Sequence, residues 1–337
     1  MPKYKKKKLP TVNDVARRAK VSPATVSRVF DPKWEGKITD GTREKVLEAA
    51  KRVNYTPNAI ARSLFTNQTN IVAVVVGVQV GYFYSEFFFR LLKRLQNTGK
   101  QTLVFSVDPD KSIENIVSQV HQYRVDAIIV MANATSTYIE NYFVEFGTPV
   151  ILFDRLSQSR EISYVCSDNL MGARTAADFL IKNKHKSIAY ISGDKSSSQA
   201  LGRSREFTAR VKELGGSIVS QIDGDFTYKC GFDAMLQLLK GPKMDAVFCA
   251  DDTMAMGAMD AAKGKGLSIP NDLSIMGFDN HSGADLSAYS LSTIGHQNTV
   301  LVEAIVTLVS ELIHSNGSIQ QQLFPMQLVI RSSVRLG

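Results

Sequence analysis

A short stretch near the start of the chain, Thr25-Val26-Ser27-Arg28, carries side chains that can bond to the edges of DNA bases. An arginine can donate two hydrogen bonds to one guanine, whereas Ala24 and the methyl group of Thr25 can contact thymine methyl groups. Ser27 can bond either a base or a phosphate. On a helix, Val26 would face a core while these four residues face outward. The stretch therefore has the composition of a base-reading helix face.

A second group of polar and aromatic residues follows apolar runs later in the chain. Its members are Phe83-Tyr84, Asp154-Arg155, Asp251-Asp252 and Asp279. Polar and aromatic side chains in such places are candidates for contacts to a small ligand. An aspartate after a strand can equally cap the next helix, and Asp251 or Asp252 could do so.

The elements that must position the first group are short helices. Val12, Val15, Ala16 and Ala19 share one face of a predicted helix, and Ser22-Pro23 is a typical helix start. A second helix is predicted from Pro23 to about Phe30. A third, over residues 42–53, is expected to place Val46, Leu47, Ala50 and Val53 in a three-helix core. Two short helices joined by a tight turn indicate a helix-turn-helix. A solvated basic surface is the alternative for such a pair.

The second group follows a repeated βα pattern from Ile71 onward. Predicted strands cover residues 71–76, 102–106, 127–131, 150–153, 188–192, 217–222, 246–250 and 273–277, and helical stretches include 86–97, 170–183, 232–239 and 254–265. Repeated βα units indicate parallel sheets with helices on both faces. Ligands of such sheets bind at the carboxyl ends of the strands, where the second group lies.

The charge distribution separates the two parts. The net charge is +8, yet residues 1–70 hold 16 Lys/Arg against 6 Asp/Glu, and residues 71–337 hold 24 against 26. A basic head on a nearly neutral body is typical of a protein that binds a polyanion such as DNA.

Several classes of protein are disfavoured. The lysines at positions 5–8 precede no apolar segment, so we expect no secretion signal, and no apolar run is long enough to span a membrane. The three cysteines, Cys166, Cys230 and Cys249, are widely spaced and are expected to be free thiols. Paired acids could serve acid–base catalysis, but no phosphate loop, nucleophile elbow, metal-ligand spacing or His-centred triad accompanies them. We expect neither enzyme activity nor a cofactor or metal.

Residues 11–65 closely resemble the head of the LacI/GalR family of bacterial transcription regulators. The resemblance is carried by Asp14-Val15-Ala16, Thr25-Val26-Ser27-Arg28-Val29 and residues 55–64. The body resembles the family's effector domain in Ser167-Asp168-Asn169, in residues 251–258 and in Gly277-Phe278-Asp279. This implies an all-α helix-turn-helix head and an α/β, two-lobed effector domain of the type I periplasmic-binding-protein-like fold with parallel sheets.

The resemblance also assigns roles to individual residues. The DNA contacts it implies come from Thr11, Ser22, Pro23, Ala24, Thr25, Ser27, Arg28, Asn58, Ala61 and Leu64. Residues 57–64 would form a hinge helix over the minor groove, with Ala61 allowing close helix approach and Leu64 as the intercalating wedge. Eight residues are too few for a stable isolated helix. Leu64 could instead be a core anchor.

The implied effector pocket takes its polar contacts from Asp154, Arg203, Asp251 and Asp279. Its aromatic walls would be Phe83, Tyr84 and Phe226, and His296 would add a contact from a crossover strand. The chain departs from the family at Lys20, where glycine is usual, at Glu206, which replaces another glycine, and at Asp251, where asparagine is common. The loop over residues 31–40 is longer than usual.

These observations predict a cytoplasmic, sequence-specific DNA-binding regulator, most simply a repressor, controlled by a small molecule. The effector is expected to be a carbohydrate or a sugar derivative, with a nucleobase or nucleoside as the alternative. A sugar-binding protein that does not bind DNA, or an enzyme, is the remaining alternative. We expect a headpiece over residues 1–56, a hinge and linker over 57–70, and an effector and dimerisation domain over 71–337. No leucine-heptad tail follows, which favours a homodimer on a palindromic operator.

Overall fold

The computed structural model describes residues 9–58, 63, 68–77, 81–107, 113–131, 145, 147–157, 159–195, 197–314 and 317–337. The chain divides into two compact units, Met1–Thr69 and Asn70–Gly337. Each unit is built around its own apolar core. No helix among the described residues is long and apolar enough to cross a membrane.

The first unit is a three-helix head. Helix α1 covers Val12–Ala19, α2 covers Pro23–Val29 and α3 covers Asp40–Arg52. Their core contains the buried residues Val15, Ala16, Val26, Val29, Val46, Ala49 and Ala50. The pattern thus placed the inward faces of the first two helices correctly, and this part of the chain is the predicted helix-turn-helix.

Two details of the head refine the prediction. Lys20 ends α1 at φ 55°, so it adopts the left-handed conformation that a glycine would adopt more easily. The predicted core position of Leu47 is wrong, because the residue is 43% exposed. The third helix begins at Asp40 rather than at residue 42, and its core side passes through Val46, Ala49 and Ala50. Leu47 therefore points away from the other two helices.

The second unit consists of two α/β lobes, and the first lobe contains a six-stranded parallel sheet. Its elements are β1 (Ile71–Gly77), α4 (Tyr82–Asn97), β2 (Gln101–Val107), α5 (Ile113–Gln122), β3 (Ala127–Met131), β4 (Val150–Phe153) and β5 (Ser163–Ser167). The strand order is β11-β5-β4-β3-β1-β2, where β11 is Gln321–Phe324. Helix α4 packs on one face of the sheet together with the helix over Asn298–His314. Residues of α5 pack on the other face of the sheet.

The second lobe contains a four-stranded parallel sheet in the order β7-β6-β8-β9. Its elements are α6 (Asn169–Lys182), β6 (Ser187–Ile191), α7 (Ser198–Glu213), β7 (Ser217–Ile222), α8 (Tyr228–Leu238), β8 (Ala246–Cys249), α9 (Asp252–Gly264) and β9 (Ser274–Met276). Its core joins α6, α7, α8 and α9 to the sheet. The predicted parallel α/β class is confirmed for both lobes.

The chain passes between the lobes at three places in the described part. The first crossing is Ser167–Asn169. The second follows β10 (Thr293–Gly295), and the third precedes β12 (Gln327–Val329). Strands β10 and β12 pair antiparallel with each other. Helix α10 (Asn298–His314) returns to the first lobe. Because β4, β5, β8 and β9 all end toward these crossings, polar residues after those strands meet there.

Candidate functional site

The outward face of α2 carries the residues predicted to contact DNA. Pro23, Ala24, Ser27 and Arg28 are exposed and Thr25 is half-buried, while Val26 and Val29 face the core. The structure therefore presents the predicted side chains on one accessible helix face. Such a face fits the major groove of B-DNA.

Two other predicted DNA contacts fix helix starts. The backbone N–H and the hydroxyl of Thr11 both donate to Asp14 Oδ2, at 2.9 and 2.7 Å, at the start of α1. Ser22 Oγ accepts from the backbone N–H of Thr25 at 3.1 Å and lies 2.9 Å from Thr25 Oγ1. Substituting either residue would therefore change helix capping as well as any DNA contact. Asn58 is exposed. Ala61 and Leu64 lie outside the described residues.

Arg203, on α7, is the central residue of the candidate effector site. The residue is 5% exposed, and its side chain lies over the ring of Phe278 with the guanidinium carbon 3.7 Å from the ring centroid. Nη2 donates to Asn169 Oδ1 at 2.8 Å, Nη1 donates to the carbonyl of Ala250, and Nη1 lies 3.8 Å from Asp279 Oδ1. Nε is buried without a hydrogen-bond partner among the described residues. A ligand could satisfy that donor.

Asp154 connects this arginine to the first lobe. Its Oδ2 accepts from the hydroxyl of Tyr84 at 2.7 Å, and its Oδ1 accepts from Asn169 Nδ2 at 3.2 Å. Gln199, one turn before Arg203 on α7, donates to the Asp154 backbone carbonyl at 2.7 Å. A continuous chain of hydrogen bonds thus runs from Tyr84 through Asp154 and Asn169 to Arg203.

His296 lies directly after β10, on a crossing between the lobes. Its Nδ1 lies 2.7 Å from Ser167 Oγ in the first lobe, and its Nε2 lies 3.2 Å from Asp279 Oδ1 in the second. The ring of Phe83 stacks on the imidazole with 3.9 Å between centroids. Phe83 is almost fully buried, so it supports His296 from behind. His296 therefore joins the two lobes at the edge of the site.

The two adjacent aspartates after β8 have different tasks. Asp251 caps α9 by accepting from the backbone N–H of Met254 at 2.8 Å. Asp252 is fully buried, and accepts from Thr293 Oγ1 at 2.6 Å and from the backbone N–H of His281 at 3.0 Å. The capping interpretation thus holds for Asp251. Asp252 attaches the crossing strand β10 to the second lobe.

The electrostatics of the site are dominated by carboxylates. Burial raises the pKa of Asp154, and burial together with the charge of Asp279 raises the pKa of Asp251 to about 7. Burial also pushes the pKa of Asp279 upward, but the hydrogen bond to His296 and the charge of Arg203 outweigh it and leave the pKa lowered. Within the described residues no group of His, Cys, Asp and Glu has a metal-binding arrangement.

Phe226 stands apart from this network. Its ring packs directly against Gly193, after β6, where a Cβ atom would have no room. Among the described residues, none of the hydrogen bonds or ring contacts of the cluster reaches it. Phe226, Asp154 and Asp279 nevertheless share one property, a positive φ of 64°, 53° and 99°.

Sequence reasoning did not assign Asn169, Gln199, Ser167 or Cys166 to the site. Ser167 is the last residue of β5 and Asn169 follows it; because this strand was not predicted, the rule that polar residues follow strands was not applied to either. Cys166 Sγ lies 3.8 Å from Asp154 Oδ1 and 3.6 Å from Gln199 Nε2, and burial raises the pKa of its thiol. All three cysteines are free, as predicted.

Comparison with known families agrees with this architecture. Residues 11–58 match the family described as bacterial regulatory proteins, lacI family. Residues 177–334 match the periplasmic binding protein-like domain. The first match covers the helix-turn-helix and the second covers most of the second lobe and the last two crossings.

Two characterised relatives align along most of the chain. The HTH-type transcriptional repressor PurR of Mannheimia succiniciproducens is 30% identical over 332 residues, covering 96% of this chain and 98% of the relative. Catabolite control protein A of Priestia megaterium is 34% identical over 280 residues, covering 80% of this chain and 82% of the relative.

Solved structures extend the likeness to three dimensions. The lac repressor dimer bound to operator and the anti-inducer ONPF has a TM-score of 0.86 at 26% identity, covering 98% of this chain and all of that one. A complex of the transcriptional regulator CelR with cellobiose has a TM-score of 0.71 at 26% identity, covering 96% and 99%. The chain therefore belongs to the lacI family of bacterial regulatory proteins, which are DNA-binding transcription regulators with an effector domain and not enzymes.

Proposed function

We propose that this regulator is a homodimeric repressor whose affinity for a palindromic operator is controlled by an unphosphorylated carbohydrate bound between its two lobes. The observation that carries the proposal is the network around Arg203, Asp154 and Asp279. Within it, Nε of Arg203 has no hydrogen-bond partner in the part of the chain that the structure describes. Hydroxyl groups can donate to its carboxylates and accept from its guanidinium.

The charge balance favours a neutral sugar over a sugar phosphate. Two buried aspartates, Asp154 and Asp251, and the half-buried Asp279 accompany a single arginine. Asp279 keeps a lowered pKa and stays ionised at neutral pH. A phosphate group would add negative charge to this set, and like charges placed together in a buried site cost several times what they cost in water. The relative crystallised with cellobiose carries a neutral disaccharide.

A nucleobase or nucleoside is the second candidate. A flat base needs an exposed aromatic face to stack on. Phe83 offers no such face, because its ring is covered by His296. Tyr84 and Phe226 are half-buried, so each offers only part of an aromatic face. The polar network is therefore better matched to hydroxyl groups than to a base, and a relative named PurR keeps the second candidate in the test.

The DNA-contacting residues in this proposal are those on α2, with Arg28 reading a guanine. They are joined by Thr11, Ser22, Asn58, Ala61 and Leu64. Residues 57–70 are proposed as the hinge and linker between a headpiece over residues 1–56 and an effector and dimerisation domain over 71–337. The lac repressor structure is a dimer bound to operator, which supports the same assembly here. A regulator of bacterial genes must share a compartment with the chromosome, so we propose a cytoplasmic location.

The proposal is tested by calorimetry with the purified protein and a panel of neutral mono- and disaccharides, their phosphate esters, nucleobases and nucleosides. A neutral sugar should bind, its phosphate ester should bind more weakly, and removal of single hydroxyls should each cost affinity because a buried charged partner is left unpaired. Asp154→Asn should weaken the same sugar, with Asp168→Asn, a partly exposed helix cap, as the control. Binding of a phosphate ester or a nucleobase in preference to every sugar would overturn the carbohydrate assignment.

A further inference from the structure

The indole ring of Trp34 lies over the guanidinium of Arg28, the arginine on the exposed face of α2. The guanidinium carbon is 4.6 Å from the ring centroid, and Lys37 Nζ is 5.7 Å from the same centroid. Both cations are within the range of a cation–π interaction, for which tryptophan is the best aromatic partner. Trp34 belongs to the segment over residues 31–40 that is longer than usual for the family.

A hydrogen-bonded turn holds Trp34 in this place. A 3-10 helix covers Pro32–Trp34, directly after α2. The N–H of Asp31 donates to the carbonyl of Arg28 at 3.2 Å, and the N–H of Trp34 donates to the carbonyl of Asp31 at 3.0 Å. The Asp31 carboxylate also accepts from the N–H of Lys33 at 3.0 Å. The backbone thus turns back over the end of α2 and places the indole next to Arg28.

The hydrophobic core does not explain the presence of this ring. Trp34 is 37% exposed and is not among the residues that form the head core or pack against it. A large aromatic side chain held at the surface against one arginine stabilises that arginine's conformation more directly than it stabilises the head.

We propose that Trp34 is a positioning residue for base recognition, which fixes Arg28 in the orientation that reads its base pair. A cation–π contact holds the charge of the guanidinium against the indole without a hydrogen bond, so its N–H donors can still bond to the two acceptors of a guanine. An exposed arginine otherwise samples many rotamers, and ordering it on binding costs affinity. The inference rests on the proposed role of Arg28 in reading DNA.

The test is a binding-site selection with the full-length protein and a pool of duplexes carrying a randomised palindromic site. The profile of Arg28→Ala identifies the base pair that Arg28 reads, where preference should fall about 5- to 100-fold. Trp34→Ala should lose preference at the same base pair by about two- to fivefold. Trp34→Phe, which retains an aromatic face, should recover part of the loss. Lys33→Ala, on the same turn, should weaken all duplexes alike and leave the preference unchanged.

The readouts separate the possible roles. Trp34→Ala should keep the wild-type Tm and the wild-type affinity for a duplex of unrelated sequence. Uniform weakening on all duplexes, a lowered Tm with no specific loss, a loss of preference at a different base pair, or no change at all would each overturn the positioning role. If Arg28→Ala leaves every preference intact, the proposed role of Arg28 itself fails, and this result is distinct from the others.

Trp34 also supplies its own probe, because it is the only tryptophan in the sequence. Its emission should change when Arg28→Ala removes the stacked cation from the free protein. Addition of the selected duplex to the wild-type protein should change it again, as DNA closes over the stack. Identical emission from wild type and Arg28→Ala would contradict the stack.

Discussion

Nε2 of Gln199 donates a hydrogen bond of 2.7 Å to the backbone carbonyl of Asp154, and this bond joins the second lobe to the first. Asp154 also belongs to the candidate site, so a contact between the lobes and a proposed contact to effector share one residue. Arg203 and Asp279, by contrast, both belong to the second lobe. The hydrogen bonds between the lobes are therefore not made by an Arg203–Asp279 pair across the cleft. They are made by Asp154, Asn169, Gln199 and His296.

The first prediction follows from this bond. Gln199→Leu should raise the effector Kd by about two- to tenfold, because a hydrogen bond that holds the lobes around the ligand is worth about 1 kcal/mol. Isothermal titration calorimetry measures the change, and operator binding without effector should stay the same. Gln221→Leu, at an exposed position on β7, is the matched control. An unchanged effector Kd in Gln199→Leu would show that the bond has no part in binding.

The second prediction concerns pH. Burial and the charge of Asp279 raise the pKa of Asp251 to about 7, whereas an aspartate in an unfolded chain titrates near pH ~4. The folded state therefore holds this proton more tightly, so the contribution of Asp251 to stability is fully present below about pH 4 and is lost as the pH rises through about 7.

The Asp251→Asn side chain keeps an oxygen that can cap α9, but it cannot ionise. Its Tm should exceed that of the wild type by a margin that grows between about pH 5 and about pH 8. Thermal unfolding across this range measures the margin, and Asp168→Asn separates the loss of a carboxylate cap from the burial of a charge. A margin that shrinks with rising pH would show that Asp251 is ionised without penalty.

The third prediction concerns the proposed hinge. Leu64→Ala should weaken operator binding and leave effector affinity unchanged, because the wedge acts only on DNA. Operator DNA should also protect residues 57–66 from limited proteolysis. Leu47→Ala, which removes an exposed leucine from the head, is the control and should alter neither property. Equal cleavage with and without operator, together with a lowered Tm for Leu64→Ala, would assign Leu64 to a core.

The sequence predicted the architecture well because its periodic patterns are strong. Valine-rich runs such as Ile71–Gly77 are buried on both faces of a parallel sheet, and such runs are recognisable without a structure. Short or polar strands cannot be recognised in this way. β5 (Ser163–Ser167) begins and ends with serine, and β11 (Gln321–Phe324) begins with two glutamines. Their strand conformation depends on pairing with each other and, for β5, with β4.

The candidate site was predictable only in part, for the same reason. Asp154, Asp251 and Asp279 follow recognisable strands, so their position was apparent from local pattern. Asn169 follows the unpredicted β5. Gln199 and Arg203 lie on a helix surface, where only the tertiary packing of α7 determines what they face. Leu47 is a residue that the local pattern placed in the core and the structure does not. Because it is adjacent to the buried Val46 on a helix, the sequence alone did not decide whether it faces the core or the solvent.

The measurement that tests the central claim most directly is operator affinity with and without saturating effector, for wild type, Asp279→Asn and Arg203→Gln. The wild-type affinity should change about five- to 150-fold, which is the usual range of allosteric coupling. Both variants should bind operator as the wild type does without effector and should not respond to it. Arg205→Gln, an exposed neighbour on α7, should respond normally. If both variants fold and still respond at the wild-type effector concentration, the effector does not bind at Arg203 and Asp279, and the account is contradicted.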